Sequence, residues 1–211
     1  FGRFWFDYET RFLPTKEVTF WAARGMFVLG ISILPVLLLG LRYSFFKIPK
    51  PKYNIKATSN SFADFFSKTL KEVEKILIKE KPKYFIVQGD TNTAMAGCLA
   101  CSIHNRKFKN NNDKIKIIHI EAGLRSFDES MPEEINRRLI DKLSDILFVP
   151  TYFDIINLKR ENLFKNKKVF KVGNTISDIV KSNLPMLNKN NILQKMNLKK
   201  KNFFLATLHR P

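Results

Sequence analysis

Asp90 and Glu121 each follow a short apolar, β-rich run and precede a polar or helix-like segment, Glu133 opens the next helix-like segment, and all three are carboxylates that acid/base chemistry can use. Asp90 sits in the turn Gln88-Gly-Asp-Thr, where its ordinary role is to cap the following helix, with Thr91 as a rival cap. Glu121 directly follows Ile117-Ile-His-Ile, and a charge there is costly unless paired or used. Ala122 and Gly123 after it allow another backbone or a ligand to come close. In a parallel α/β sheet the carboxyl ends of the strands face the crevice in which ligands bind. For Glu133 the bland role is strong: Ser130-Met-Pro-Glu has capping-box spacing, and Pro132 suits a first helical turn.

Arg125 and Arg137 are candidates for binding phosphate with their planar forks, although either can be spent on a neighbouring carboxylate. Glu133 with Arg137, and Glu134 with Arg138, have the i,i+4 spacing and polarity of helix-surface pairs. Strand alternation puts His119 on the same face as Glu121, so His119 is expected to be a satisfied core histidine beneath the crevice. Gly173-Asn-Thr either cradles an anion with helix-start amides or forms an ordinary turn and cap. His209 and Arg210 close a strand-like run at 203–207 and would face a cleft if a second domain follows. Cys98 and Cys101 have C-x-x-C spacing inside an apolar, Ala-rich segment that reads as a buried helix, where the two positions share a face. A zinc site would lack its other ligands, and two thiols outside any disulfide framework fit a reducing cytoplasm.

The elements that must hold these residues alternate in the rhythm of a parallel sheet with crossover helices, an α/β reading. Helices are predicted at 61–79, 92–104, from after the loop 124–130 to about 143, at 152–163 and at 175–184, and strands at 84–87, 116–120, 146–149, 169–172 and 203–207. Residues 185–202, rich in Asn and Lys, read as a linker with one short helix. The expected organisation is an atypical hydrophobic leader at 1–47, a Rossmann-like domain at 48–187, and a linker with the first strand of a second domain at 188–211. In the leader, residues 25–41 are uncharged, at the short end of what a membrane-spanning helix needs. Pro35 weakens that reading, and two others compete with it: a buried strand and helix of the α/β domain, or a non-native segment translated from a faulty gene model. The chain opens on Phe1 and stops at Pro211, so it is expected to be a piece of a longer protein.

The formal net charge of +18 would suit a nucleic-acid partner. The lysines are mixed with Asn and Ile in several runs, as in general composition bias, and no nucleic-acid module accompanies them. A basic surface would still attract an anionic small substrate.

Gln88-Gly-Asp-Thr, His119-Ile-Glu-Ala-Gly-Leu-Arg, Pro132-Glu-Glu-Ile-Asn-Arg, Val172-Gly-Asn-Thr and Thr207-Leu-His-Arg stand in the order and spacing of the non-hydrolysing UDP-N-acetylglucosamine 2-epimerases, which the chain resembles from about residue 48 to 210. The resemblance implies one half of a two-domain, glycosyltransferase-B-like fold, a homodimer, a UDP-sugar substrate, and no metal or redox cofactor. It implies C2 inversion of UDP-GlcNAc to UDP-ManNAc, by elimination of UDP and its re-addition. On the same ground Asp90, Glu121 and Glu133 form the acid/base set, with His209 near the leaving phosphate and Arg125, Arg137, Gly173, Asn174 and Arg210 as substrate contacts.

Residues 1–47 lack the Gly-Thr-Arg-Pro-Glu loop of the family, and the second domain would be nearly absent, so the isolated chain is expected to be weakly active or inactive. The rival readings are a hydrolysing epimerase, a glycosyltransferase, or a membrane-tethered, non-catalytic binding fragment anchored by residues 25–41.

Overall fold

The computed structural model describes residues 17–23, 26–32, 51–57, 61–187, 191–199 and 201–206, with the backbone alone described at 17–32 and 186–187. The chain divides into two compact units after Gly173. The first is built on strands β1 (Glu17–Ala23), β2 (Met26–Ser32), β3 (Tyr53–Lys56), β4 (Tyr84–Gln88), β5 (Lys116–Ile120), β6 (Ile146–Val149) and β7 (Lys168–Lys171). Its helices are α1 (Phe62–Glu80), α2 (Asn92–Asn105), α3 (Pro132–Leu143) and α4 (Tyr152–Arg160). The seven strands form one sheet in the order β3-β1-β2-β4-β5-β6-β7.

From β2 onward the pairing is parallel, as expected for strands joined through helices. The other edge differs, because β1 runs antiparallel to both β2 and β3. A connection as short as residues 24–25 allows only that arrangement between neighbouring strands. Residues 26–32, the first part of the hydrophobic stretch, are therefore a strand hydrogen-bonded between β1 and β4. A membrane helix over 25–41 is corrected by that pairing. Residues 33–41 lie outside the described residues. Among the described residues no helix is long and apolar enough to cross a membrane.

The elements that position the site agree with the expectations to within a few residues. Phe85 and Val87 of β4, Ile117 of β5 and Ile115 just before it pack with Phe65, Val73 and Leu77 of α1, Ala94, Cys98 and Cys101 of α2 and Ile140 of α3. Ile86, Ile118 and Ile120 pack on the opposite face with Ile146 and Phe148. This alternation is the period of two that a sheet covered on both faces requires. Under α4, Ala122, Leu147, Val149, Leu158 and Leu163 make a third cluster. The two cysteines are free and buried in the first cluster. Burial pushes the Cys98 thiol up to about 12 and raises that of Cys101 further, so both behave as small apolar side chains.

The second unit contains α5 (Thr175–Leu187) and α6 (Ile192–Lys195). The helix α5 continues past the predicted end through Pro185, which in a last turn removes few backbone hydrogen bonds. The predicted strand at 203–207 is not formed over its described part: Phe203, Phe204 and Leu205 are exposed and non-helical, and no strand of this unit among the described residues offers a pairing edge. A strand exists only with a neighbour to bond.

Candidate functional site

Gln88 and Ile120 are paired in register, so the turn after β4 and the turn after β5 leave the sheet side by side. Gly89 adopts φ 68°, Glu121 φ 74° and Gly123 φ 85°, all left-handed. Gly89 N–H donates to Ile120 O at 3.1 Å, and the N–H groups of Glu121 and Ala122 both donate to Phe148 O. Glu121 is thus a non-glycine residue held in a strained conformation at a strand end, a placement that clusters at functional sites. Its Oε2 accepts from Gln88 Nε2 at 3.2 Å and lies 3.7 Å from where a Gly89 Cβ would stand. Burial, and secondarily the neighbouring Asp90, raise the Glu121 carboxyl above the ordinary range, against the opposing pull of Gln88, His119 and Arg137.

Asp90 does not cap α2; Thr91 does, accepting from Ala94 N–H at 3.1 Å. That leaves the Asp90 carboxylate to pair with Arg137 Nη2. Arg137 reaches across from α3 and also contacts Glu134 Oε2 at 3.4 Å through Nη1, while its buried Nε has no hydrogen-bond partner among the described residues. Asn136 on the same helix fixes the turn by donating to Asp90 O at 2.9 Å and Asn92 Oδ1 at 2.8 Å. Glu133 is half-buried one turn before Arg137, on the helix face that meets Asp90. The predicted capping box at Ser130 is corrected: the N-cap is Met131, with no side-chain cap, and Ser130 Oγ donates to Asp128 Oδ1 at 2.6 Å.

Arg125, a phosphate candidate by sequence, is engaged within the protein. Its guanidinium is only 1% exposed. Nε and Nη2 donate to the two oxygens of Glu161, and Nη1 donates to Leu124 O and Asp141 Oδ2. A fork so fully used has little left for an incoming anion. The Glu134–Arg138 pair is also replaced: buried Glu134 accepts from Ser126 N–H and Oγ at 2.7 and 2.8 Å, and Arg138 pairs with Glu129 and Glu161. Burial opposes the Glu134 charge, but the two Ser126 bonds and Arg137 outweigh it and hold the carboxyl low.

His119 is fully buried and satisfied as expected, with Nδ1 2.7 Å from Asp141 Oδ1 and Nε2 3.0 Å from Gly89 O. Asp141 is the residue that sequence reasoning missed. One signal was available: Glu134, Arg137 and Asp141 recur at spacings of three and four, a charged stripe on the face of α3 that also supplies core residues.

Gly173 has φ 84° with nothing within 4 Å of a notional Cβ, and the Asn174 side chain accepts from Ile176 N–H at 2.9 Å. The Asn174 side chain thus makes a cap at the start of α5. His209 and Arg210 lie outside the described residues. Among the described residues no cluster of three His, Cys, Asp or Glu side chains could hold a metal ion. Of the candidate residues, the described structure brings Asp90 and Glu121 to the ends of adjacent strands and puts Glu133 and Arg137 on α3.

Residues 38–211 match the family described as UDP-N-acetylglucosamine 2-epimerase. A "UDP-N-acetylglucosamine 2-epimerase homolog" of Methanococcus maripaludis is 46% identical over 166 residues, 78% of this chain and 43% of its own length. A "UDP-2,3-diacetamido-2,3-dideoxy-D-glucuronate 2-epimerase" of Pseudomonas aeruginosa is 45% identical over 134 residues, 62% of this chain and 35% of its own. The crystal structure of the Methanocaldococcus jannaschii UDP-GlcNAc 2-epimerase in complex with UDP-GlcNAc and UDP is 43% identical, with a TM-score of 0.64 over 74% of this chain and 41% of that one. The chain thus spans less than half the length of these relatives. The family match over residues 38–211, the 46% identity to a relative over 78% of the chain and the shared fold together establish that the chain belongs to the UDP-N-acetylglucosamine 2-epimerase family.

Proposed function

We propose that the protein carrying this chain inverts C2 of UDP-N-acetylglucosamine to give UDP-N-acetylmannosamine, with Asp90, Glu121 and Glu133 as its acid/base set. The observation that carries the reading is the convergence of Asp90 and Glu121 from adjacent strand ends, with Arg137 paired to Asp90 and coupled to Glu121. In the forward reaction a carboxylate takes the C2 proton while the C1–O bond to UDP breaks, leaving a C1=C2 glycal and free UDP. UDP then adds back at C1 and a carboxylic acid returns a proton to the opposite face of C2. Two groups in unlike states are needed. Glu121, whose protonated form burial favours, is suited to donate, and Asp90, ion-paired with Arg137, is suited to accept. The spare Nε of Arg137 and the basic charge of the chain suit a diphosphate leaving group, which needs cationic support. His209 and Arg210 are carried forward by motif, near that phosphate.

The test is incubation of the intact protein with UDP-GlcNAc in deuterated water. Deuterium at C2 of both epimers is expected, falling about 10²–10⁴-fold in Asp90→Asn and Glu121→Gln. Epimerised product with unlabelled C2 would overturn the proposal. The Pseudomonas relative gives one alternative weight, a UDP-2,3-diacetamido-glucuronate substrate with the same C2 chemistry. A lower KM for that sugar than for UDP-GlcNAc would select it. A homodimer is part of the reading; Ile135 and Leu139, exposed one turn apart on α3, suit a second copy, and sedimentation would detect it. Free thiols fit a cytoplasmic location.

A further inference from the structure

The polar groups behind the site form a connected chain, Glu161–Arg125–Asp141–His119, of which the last three side chains are at most 1% exposed. Asp141 spends both oxygens: Oδ1 meets His119 Nδ1, and Oδ2 accepts from Gly123 N–H at 3.1 Å and Arg125 Nη1 at 2.8 Å. Burial opposes its charge, yet His119 and Arg125 outweigh that and hold the carboxyl below the ordinary range, so Asp141 acts only as an acceptor. On the other side His119 Nε2 faces Gly89 O, which also can only accept. Both contacts are hydrogen bonds at once only when the ring carries a proton on each nitrogen.

The two ends of this device touch the two turns that bear the site carboxylates. Through His119, Asp141 grips the carbonyl of Gly89, the residue before Asp90; through the Gly123 N–H it grips the loop two residues after Glu121. Nothing in the reaction itself needs His119, which lies beneath the crevice.

We propose that His119, backed by Asp141, is a positioning residue that locks the Gly89–Asp90 turn against the Glu121 turn and so sets the relative placement of the two carboxylates. The inference rests on the proposed function for its catalytic meaning, while its geometry is testable alone. Asn and Gln separate the two bonds, because the Asn amide nitrogen stands near the position of Nδ1 and the Gln amide nitrogen near that of Nε2. In His119→Asn the bond to Asp141 is kept and that to Gly89 lost; in His119→Gln the reverse holds.

Amide hydrogen exchange on the 211-residue chain reads the turn directly through Gly89 N–H, which is bonded to Ile120 O. Expected is about tenfold faster Gly89 exchange in His119→Asn, with Ile117 unchanged, and little change at Gly89 in His119→Gln. In the deuterium assay on the intact protein, His119→Asn should lower kcat at unchanged KM and His119→Gln should recover much of it. Equal effects of the two variants at Gly89 would overturn the proposal. Should both variants fail to fold, imidazole ¹⁵N spectra of the unaltered chain decide: protons on both ring nitrogens with a coupling from Nε2–H to the Gly89 carbonyl support it, and a ring bearing one proton overturns it. Absence of C2 labelling by the unaltered protein would sink the proposed function alone, the Gly89 exchange still deciding the role of His119.

Discussion

Replacing Arg125 with Met should unfold much of the margin of this domain while touching no ligand. The substitution keeps a long, partly apolar stem but removes the cation paired with both Asp141 and Glu161, whose side chains are 0% and 24% exposed. Breaking a buried ion pair from one side costs about 3–5 kcal/mol, because the remaining charge has neither water nor partner. His119 still faces Asp141, which places the loss at the lower end, near 3 kcal/mol. With a urea slope of about 1–3 kcal/mol/M, the unfolding midpoint should fall by at least about 1 M. Arg125→Lys should land between, since one ammonium cannot serve both Glu161 oxygens and Asp141 together. The assay is equilibrium urea unfolding of the three proteins by circular dichroism, with UDP-GlcNAc affinity measured in parallel. A stability change within about 0.5 kcal/mol, as for an ordinary surface residue, together with a large loss of affinity, would refute the reasoning and return Arg125 to the substrate.

Four further outcomes follow from the same geometry. Gly123→Ala should cost about 1–3 kcal/mol in the same urea measurement, because its Cβ would stand 2.7 Å from Asp154 O and 2.8 Å from Asp154 Cβ at φ 85°. Glu121→Gln should raise the melting temperature at neutral pH. Its folded carboxyl lies above the ordinary value, so Glu121 costs stability as pH rises through the window between the two, and the gain from Gln should vanish below that window. Asp141 has the opposite sign: its depressed carboxyl contributes stability that is full above the ordinary carboxylate range and lost as pH falls toward the folded value, and Asp141→Asn should flatten that acid limb. Cys98 and Cys101 should resist a thiol reagent in the native chain and react only as urea unfolds it, since burial raises both thiols.

The sequence by itself determined the order and bounds of the elements around the site, because apolar periodicity and turn residues act over a few positions. The strand at 116–120 and the turn Gln88-Gly-Asp-Thr are local patterns, and the structure forms β5 and the β4–α2 turn there. The same local reach placed Asp90 and Glu121 at strand ends and His119 in the core. Tertiary structure alone decided how charges are shared. Helical spacing offered Arg138 as the partner of Glu134, but burial gave Glu134 to Ser126 and Arg137, because a desolvated carboxylate takes the donors that tertiary packing aligns. Arg125, read as a phosphate fork, is consumed by Asp141 and Glu161, residues 16 and 36 positions away. The antiparallel edge β1–β2 was equally hidden, since an uncharged run such as 26–32 reads alike as buried strand or apolar helix until a neighbouring strand bonds it.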